Sequence, residues 1–338
     1  MTVVVSGIGL CTPLGMDVES SWERLIHPSP LAALGPLPSE RGEGVHGLSR
    51  ARELSLLAAA EALIDAGLWA GESIQGVDPE RIGCTFSASK PLFDEDRPMA
   101  PDVINDFVSD RFGLQGERRN VIAACATGAY SIALGASWIE QGLCDLVVAG
   151  SVEPYPHPLI QAGFKQMGVT SVEKVTRPFD LRRSGFTFGE GAGVVVLESE
   201  KHFRKRLPSP LLPLPSARGE GWGEGGESPP YGILSGWALG ADSHSAVVFN
   251  SNGARISDVI IRALKRGGIS TASVDHVNAH GTGTRLNDWI ETQALIKAFG
   301  PGADRLMISA TKASTGHLLG ASGSVEFIFT LLALQHQF

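Results

Sequence analysis

The stretch Asn120–Gly142, "NVIAACATGAYSIALGASWIEQG", decides the fold. An apolar run stops at Cys125, small residues occupy 126–129, and apolar residues then recur at helical spacing. The pattern is a strand handing over to a helix that is apolar on nearly every side, and such a helix belongs between layers. The last stretch, "SGSVEFIFTLLALQHQ" (322–337), predicts a second helix of this kind. Outward from Cys125, "TVVVSGIG" (2–9), "RIGCTFSAS" (81–89) and "CDLVVAGSVEP" (144–154) read as strands, and "SGFTFGEGAGVVVLES" (184–199) as a glycine turn feeding a strand. "GLSRARELSLLAAAEALIDAG" (47–67) reads as a helix, with Gly67 as its stop.

The second half repeats the style. "YGILSGWALGAD" (231–242) is strand-like, and "GARISDVIIRALKRGG" (253–268) is an amphipathic helix. "VDHVNAHGTGT" (274–284) and "LMISATKASTGHLLG" (306–320) are strands entering polar loops, and "DWIETQALIKAFG" (288–300) is a helix between them. Alternating strands and helices predict an α/β protein with mainly parallel sheets. Two stretches do not fit: "PLPSERGEG" (36–44) and "PLPSARGEG" (213–221) differ at one position and lack apolar periodicity. They read as loops derived from one inserted element, with a duplicated interaction motif as the other reading, since their composition buries too little apolar surface to form a core.

A chain of 338 residues, 43% hydrophobic and 19% charged, is long enough for two core-forming halves. The net charge of −8 argues against a nucleic-acid binder. No apolar stretch reaches membrane-spanning length, and the start has no basic leader. Cys11, Cys84, Cys125 and Cys144 lack both C-x-x-C spacing and the density of a disulfide framework. A reducing, cytoplasmic compartment is the expectation.

Three groups of residues could carry chemistry. Cys125 stands at a predicted helix N-terminus, where the helix dipole favours a thiolate; a buried structural cysteine is the other reading. His280 and His317 lie in small-residue loops at strand ends, where ligands of α/β sheets gather. Each alone also fits a hydrogen-bonded structural role, and their spacing of 37 positions does not match a helical zinc motif. Lys312 precedes His317 by five residues, and Glu326 interrupts the last apolar helix, where a buried carboxylate needs a partner such as Lys312 or a histidine. "GEGAGVV" does not match the G-x-G-x-x-G fingerprint and precedes a strand, so a dinucleotide site is rejected.

Three blocks together, "AACATGA", "NAHGTGT" and "TKASTGHLLGASG", resemble the elongating β-ketoacyl–acyl carrier protein synthases of the thiolase superfamily. "RPFDLRRSGFTFGEGAGVVVLE" is similar to a further family segment, and the likeness runs from about Val3 to the last residue. The resemblance implies a thiolase-like layered αβαβα fold of two related halves, with residues 1–200 carrying the nucleophile, 201–230 an insertion, and 231–338 an incomplete second half carrying both histidines. It implies that Cys125 takes an acyl chain from acyl carrier protein, that His280 and His317 donate to the malonyl thioester oxygen, that Lys312 orients His317, and that Glu326 joins the charge network. Thr282 and Thr284 would bond the phosphopantetheine arm, which arrives on the partner; no metal or resident cofactor is implied. Initiating synthases carry Asn at the second histidine, and thiolases use a different Cys/His set.

The implied assembly is a homodimer that docks the acidic carrier through basic residues. Arg50, Arg52, Lys201, Arg204, Lys205 and Arg206 are the candidates, and a solvated charge run is the alternative reading. The family pattern continues past Phe338 with further strands and a G-F-G-G loop that completes the oxyanion hole. Two functional expectations therefore stand: a carbon–carbon bond-forming condensing enzyme, or a truncated non-catalytic relative that binds the carrier or pairs with a full-length synthase.

Overall fold

In chain order the first half gives β1 (Val3–Cys11), α1 (Val18–Ile26), α2 (Gly47–Asp65), β2 (Ile82–Ser87), β3 (Leu92–Asp94), β4 (Arg97–Met99), α3 (Val103–Phe112), α4 (Thr127–Glu140) and β5 (Leu146–Glu153). Then come α5 (Pro158–Gln166), β6 (Gly191–Ser199), α6 (Glu200–Arg206), β7 (Gly232–Ile233), α7 (Ala254–Gly267), β8 (His276–Asn278), α8 (Arg285–Phe299), β9 (Met307–Ser309), α9 (Lys312–Thr315) and α10 (Ser322–His336). The structure, a computed structural model, describes residues 1–28, 47–94, 97–207, 230–242 and 252–338. Both PLPSxRGEG segments, and all of the expected 201–230 insertion except its ends, lie outside the described residues.

The chain divides into two compact units that are not contiguous in sequence. One comprises Met1–Pro156, Gly189–Leu234 and Leu318–Phe338; the other comprises His157–Phe188 and Ser235–His317. The first unit is built on a five-stranded sheet ordered β2-β5-β6-β1-β7. β1, β2, β5 and β6 are buried at every residue. Side chains of alternate parity serve opposite faces. Phe86, Val148 and Val196 join Leu54, Ala58 and Ala62 of α2 and Ile104 and Val108 of α3 in one core. Val147, Ala149 and Leu197, of the other parity, surround Gly135 of α4. A sheet covered on both faces needs no polar alternation, which explains the uninterrupted apolar strands. Each large side chain so buried contributes about 1.5–3 kcal/mol.

α4 and α10 pack together with little room between their backbones. A Cβ on Gly128 would lie 2.5 Å from both the Ser324 nitrogen and the Ser151 hydroxyl oxygen. Ser151 and Ser324 share a buried hydrogen bond of 2.7 Å, so the polar atoms at this contact are satisfied.

Three expectations need correction. The large sheet is mainly antiparallel: only β2–β5 is parallel, whereas β5–β6, β6–β1 and β1–β7 are antiparallel. A strand buried on both faces has the same apolar signature in either direction, so periodicity carried no information on polarity. Residues 120–124 are not a strand. The chain touches β2 through one bridge, Cys84 to Arg118, after which the Val121 N–H donates to the Ser87 hydroxyl at 2.9 Å. A side-chain acceptor replaces the ladder because the chain is already turning toward Cys125. Finally, "YGILSGWALGAD" keeps only the two-residue β7 pairing with β1, although its residues 231–242 are all described.

In the second unit β8 and β9 form a parallel pair, with His276, Val277 and Asn278 opposite Met307, Ile308 and Ser309. Leu295, Ala298 and Phe299 of α8 form its core with Ile260 and Leu264 of α7 and Val277 of β8. This pair has the parallel direction the sequence predicted, and it sets the register of the loops that follow.

Candidate active site

In the first unit the chain reaches Cys125 through a strained turn. Ala124 has φ of 48°, a left-handed conformation that costs a residue with a Cβ about 1–2 kcal/mol. Residues Ala124–Ala126 form a 3-10 turn that runs directly into α4. Thr127 holds it: its hydroxyl accepts from the Ala123 N–H at 3.0 Å and donates to the Ala124 carbonyl at 2.8 Å. Cys125 is half-buried, whereas Cys11, Cys84 and Cys144 are buried. Burial pushes the Cys84 thiol up to about 12 and raises that of Cys11 further, so both stay protonated. The expected helix N-terminus at Cys125 is therefore present, although the strand before it is not.

The same device occurs before the other all-round apolar helix. Leu319 also has φ of 48°, Leu319–Ala321 form a 3-10 turn, and α10 follows. There the buried Glu153 carboxylate, at the end of β5, accepts the Gly320 N–H at 2.9 Å and the Ser89 N–H at 3.2 Å, and Lys90 pairs with it at 2.5 Å. Glu326 lies on α10, half-buried, and its carbonyl accepts from the Thr330 hydroxyl at 2.7 Å.

In the second unit parallel pairing explains how distant residues meet. His280 and Lys312 lie two and three residues beyond the carboxyl ends of the adjacent strands β8 and β9. Lys312, 0% exposed, donates from Nζ to the His280 carbonyl at 2.6 Å. His317 is anchored by its own N–H, which donates to the Thr187 carbonyl at 2.8 Å. The two imidazoles meet edge to face, with centroids 5.4 Å apart and planes at 80°. Phe186 stands edge-on to His317 at 4.8 Å. Desolvation, with the Lys312 charge adding to it, holds the His280 imidazole well below its ordinary range, so the ring is neutral at pH 7.

Two carboxylates complete the histidine loop, and the sequence reading passed over both. Glu291 of α8 accepts the N–H groups of His280 (2.7 Å) and Gly281 (2.9 Å). Asp288 accepts those of Gly283 (3.2 Å) and Phe179 (2.7 Å). Burial pushes the Glu291 carboxyl above its ordinary value although two N–H groups and the Lys312 charge oppose it. The available signal was their i, i+3 spacing at the start of the helix that follows a Gly-x-Gly loop: that face presents carboxylates to the loop's amides. Thr282 and Thr284 share a hydrogen bond of 2.9 Å. Thr284 also caps α8 by accepting the Asn287 N–H at 3.3 Å, so it has a structural task in addition to the expected one.

The basic candidates divide. Arg50 is only 1% exposed and pairs with Glu53 at 2.8 Å and Glu190 at 3.1 Å, which removes it as a surface contact. Arg206 is likewise turned inward, onto buried Glu198 at 2.6 Å. Both corrections have one cause: a buried carboxylate binds the nearest guanidinium. Arg52, Lys201, Arg204 and Lys205 are exposed, with Arg204 paired to Glu200 at 2.8 Å.

One unit thus holds a half-buried thiol at a strained turn, and the other holds a clamped pair of imidazoles. Residues 41–202 match the β-ketoacyl synthase N-terminal domain family, and residues 231–338 match the β-ketoacyl synthase C-terminal domain family. The chain belongs to the β-ketoacyl synthase family. It is 31% identical to the mitochondrial 3-oxoacyl-[acyl-carrier-protein] synthase of Arabidopsis thaliana, across 99% of this chain and 82% of that protein. It is 32% identical to 3-oxoacyl-[acyl-carrier-protein] synthase 2 of Rhizobium meliloti, across 98% and 86%. Its fold is that of the ketosynthases: a type II polyketide ketosynthase, solved with its acyl carrier protein, superposes with a TM-score of 0.80 at 22% identity, over 99% of this chain and 86% of that one.

Proposed function

We propose that the chain is a 3-oxoacyl–acyl carrier protein synthase that extends an acyl chain by decarboxylative condensation. The observation that carries the reading is the crossed pair of imidazoles: His280 just beyond β8, and His317 after the short helix α9 that follows β9. A pair of imidazole N–H donors suits a carbonyl oxygen that gains negative charge during reaction.

The Cys125 thiolate attacks the carbonyl carbon of an acyl thioester, and the carrier's thiol leaves with the proton the cysteine gave up. A malonyl thioester then loses CO2. The electron pair of the broken carbon–carbon bond moves onto the thioester oxygen as an enolate, to which His280 and His317 donate. The enolate carbon attacks the acyl-Cys125 carbonyl, and the Cys125 thiolate is expelled. Thr282 and Thr284 bond the phosphopantetheine arm, Lys312 fixes the loop between the histidines, and Glu326 completes the charge network on α10. The exposed Arg52, Lys201, Arg204 and Lys205 supply basic contacts to the acidic carrier.

The expected division into halves, 1–200 and 231–338, has the two family domain matches in its support. The homodimer rests on the family likeness. The cytoplasmic assignment rests on the low density of cysteines and their lack of C-x-x-C spacing; among the described residues, no helix is long and apolar enough to cross a membrane. The test is an incubation with acyl–acyl carrier protein followed by intact mass. An acyl adduct is expected on the wild type and not on Cys125→Ala. A folded wild type that takes up no acyl group overturns the reading.

A further inference from the structure

Phe179 is a bulky residue in a conformation that suits glycine. Its φ is 62°, and among the described residues only Ala124, Lys174, Leu319 and Gln337 share a positive φ without being glycine. A large side chain in that region is an outlier that persists only where its surroundings over-determine it. Here they do. The Phe179 N–H donates to buried Asp288 at 2.7 Å, and the same carboxylate accepts the Gly283 N–H at 3.2 Å. Nearby, the Gly185 N–H donates to the Gly283 carbonyl at 2.9 Å, and Arg183 donates from Nε to the Thr284 carbonyl at 3.3 Å.

The strain aims the ring at one peptide. A Cβ on Gly281 would sit 3.1 Å from Phe179 Cε2, 3.2 Å from the Pro178 Cβ and 2.6 Å from the Ala310 Cβ. Gly281 itself has φ of 43°, so its peptide has conformational freedom that packing must remove. The main chain at His280 is thus gripped on three sides. Glu291 takes the His280 and Gly281 N–H groups, Lys312 donates to the His280 carbonyl, and the Phe179 ring closes the remaining side at Gly281. Glu291 and Lys312 act on polar atoms; Phe179, with Pro178 and Ala310, restricts the peptide by shape.

We infer that Phe179 is a positioning residue for His280: Asp288 forces its backbone left-handed so that its ring wedges the Gly281 peptide and fixes where the imidazole points. This rests on the reading of His280 as a donor to the malonyl thioester. An aimed donor matters in the decarboxylation half-reaction and not in acyl loading of Cys125, so the two halves should respond differently.

The test uses the full chain with Phe179→Gly, Phe179→Ala and Phe179→Tyr. Glycine relieves the left-handed backbone while deleting the ring, alanine deletes the ring and keeps the strain, and tyrosine keeps the ring. Three quantities are read: acyl loading of Cys125 by mass, CO2 release from malonyl–acyl carrier protein, and the pH titration of the His280 ring by NMR. In Phe179→Gly and Phe179→Ala, CO2 release should fall by about tenfold or more while acyl loading stays within about twofold. The His280 titration should move up toward the ordinary histidine range as its loop loosens and hydrates. Phe179→Tyr should behave as wild type. Unchanged His280 titration with unchanged CO2 release in both ring deletions overturns the inference, and so does equal loss of both half-reactions with the titration unmoved. If the wild type itself neither loads nor decarboxylates, the functional reading fails instead, and the His280 titration still decides the positioning role.

Discussion

At the scale of single residues, the proposed function depends on keeping one imidazole neutral and still. The positive charge of buried Lys312 adds to desolvation in holding the His280 ring well below its ordinary range. Lys312→Met removes that charge and strands the His280 carbonyl. The His280 titration should then rise, and the acid limb of malonyl decarboxylation should move to higher pH, read from a pH–rate profile. The orphaned carbonyl should lower stability by about 1–3 kcal/mol, read by urea unfolding. The sign of the linkage is fixed by the direction of the shift. A histidine held below its unfolded value binds its proton less readily when folded. Wild-type stability from this group is complete above the ordinary histidine value and is lost as pH falls through the folded one.

At the scale of elements, α2 is bonded to β1 and to the start of α1 by carboxylates. Glu61 accepts the Leu10 and Val18 N–H groups, both at 2.8 Å, and Asp65 accepts the Ile8 N–H at 2.9 Å. Burial, the largest cause, pushes the Glu61 carboxyl up to about 7 although the two N–H groups oppose it. The folded state therefore holds the proton more tightly than the unfolded chain does. The associated stability is present below the unfolded carboxylate value of 4.5 and is lost as pH rises through about 7. Glu61→Gln carries no titrating group, so its urea midpoint should fall less between pH 5 and pH 8 than that of the wild type. Equal slopes in the two proteins would show that the ionisation of Glu61 is not linked to folding.

At the scale of the whole molecule, long-range ion pairs tie together segments far apart in sequence. Arg50 of α2 reaches Glu190, 140 positions away, and the other oxygen of Glu190 accepts the Tyr155 N–H at 2.8 Å. Arg50→Ala would leave two carboxylates in the interior without their guanidinium. Breaking one side of such a buried pair costs about 3–5 kcal/mol. The expected result is a large drop in the urea midpoint. Lys201→Ala with Lys205→Ala should instead leave the midpoint unchanged and weaken carrier binding in a salt-dependent way, read by titration calorimetry. Normal stability of Arg50→Ala with weakened carrier binding would restore Arg50 to the docking surface.

The amino-acid sequence by itself determined the local events. Runs of apolar residues specified the strands, all-round apolar stretches specified α4 and α10, and small-residue loops placed Cys125, His280 and His317 at the ends of elements. Each follows from the chemistry of a few neighbouring residues. Strand direction, the missing strand at 120–124 and the burial of Arg50 were decided by tertiary structure, because each depends on a partner remote in sequence. The same holds for Glu291, Asp288 and Phe179. On paper they are two helix acids and an ordinary aromatic. They become parts of the histidine loop only when β8 and β9 pair in parallel, α8 turns its carboxylates onto the loop amides, and Asp288 draws the 176–188 segment against Gly281.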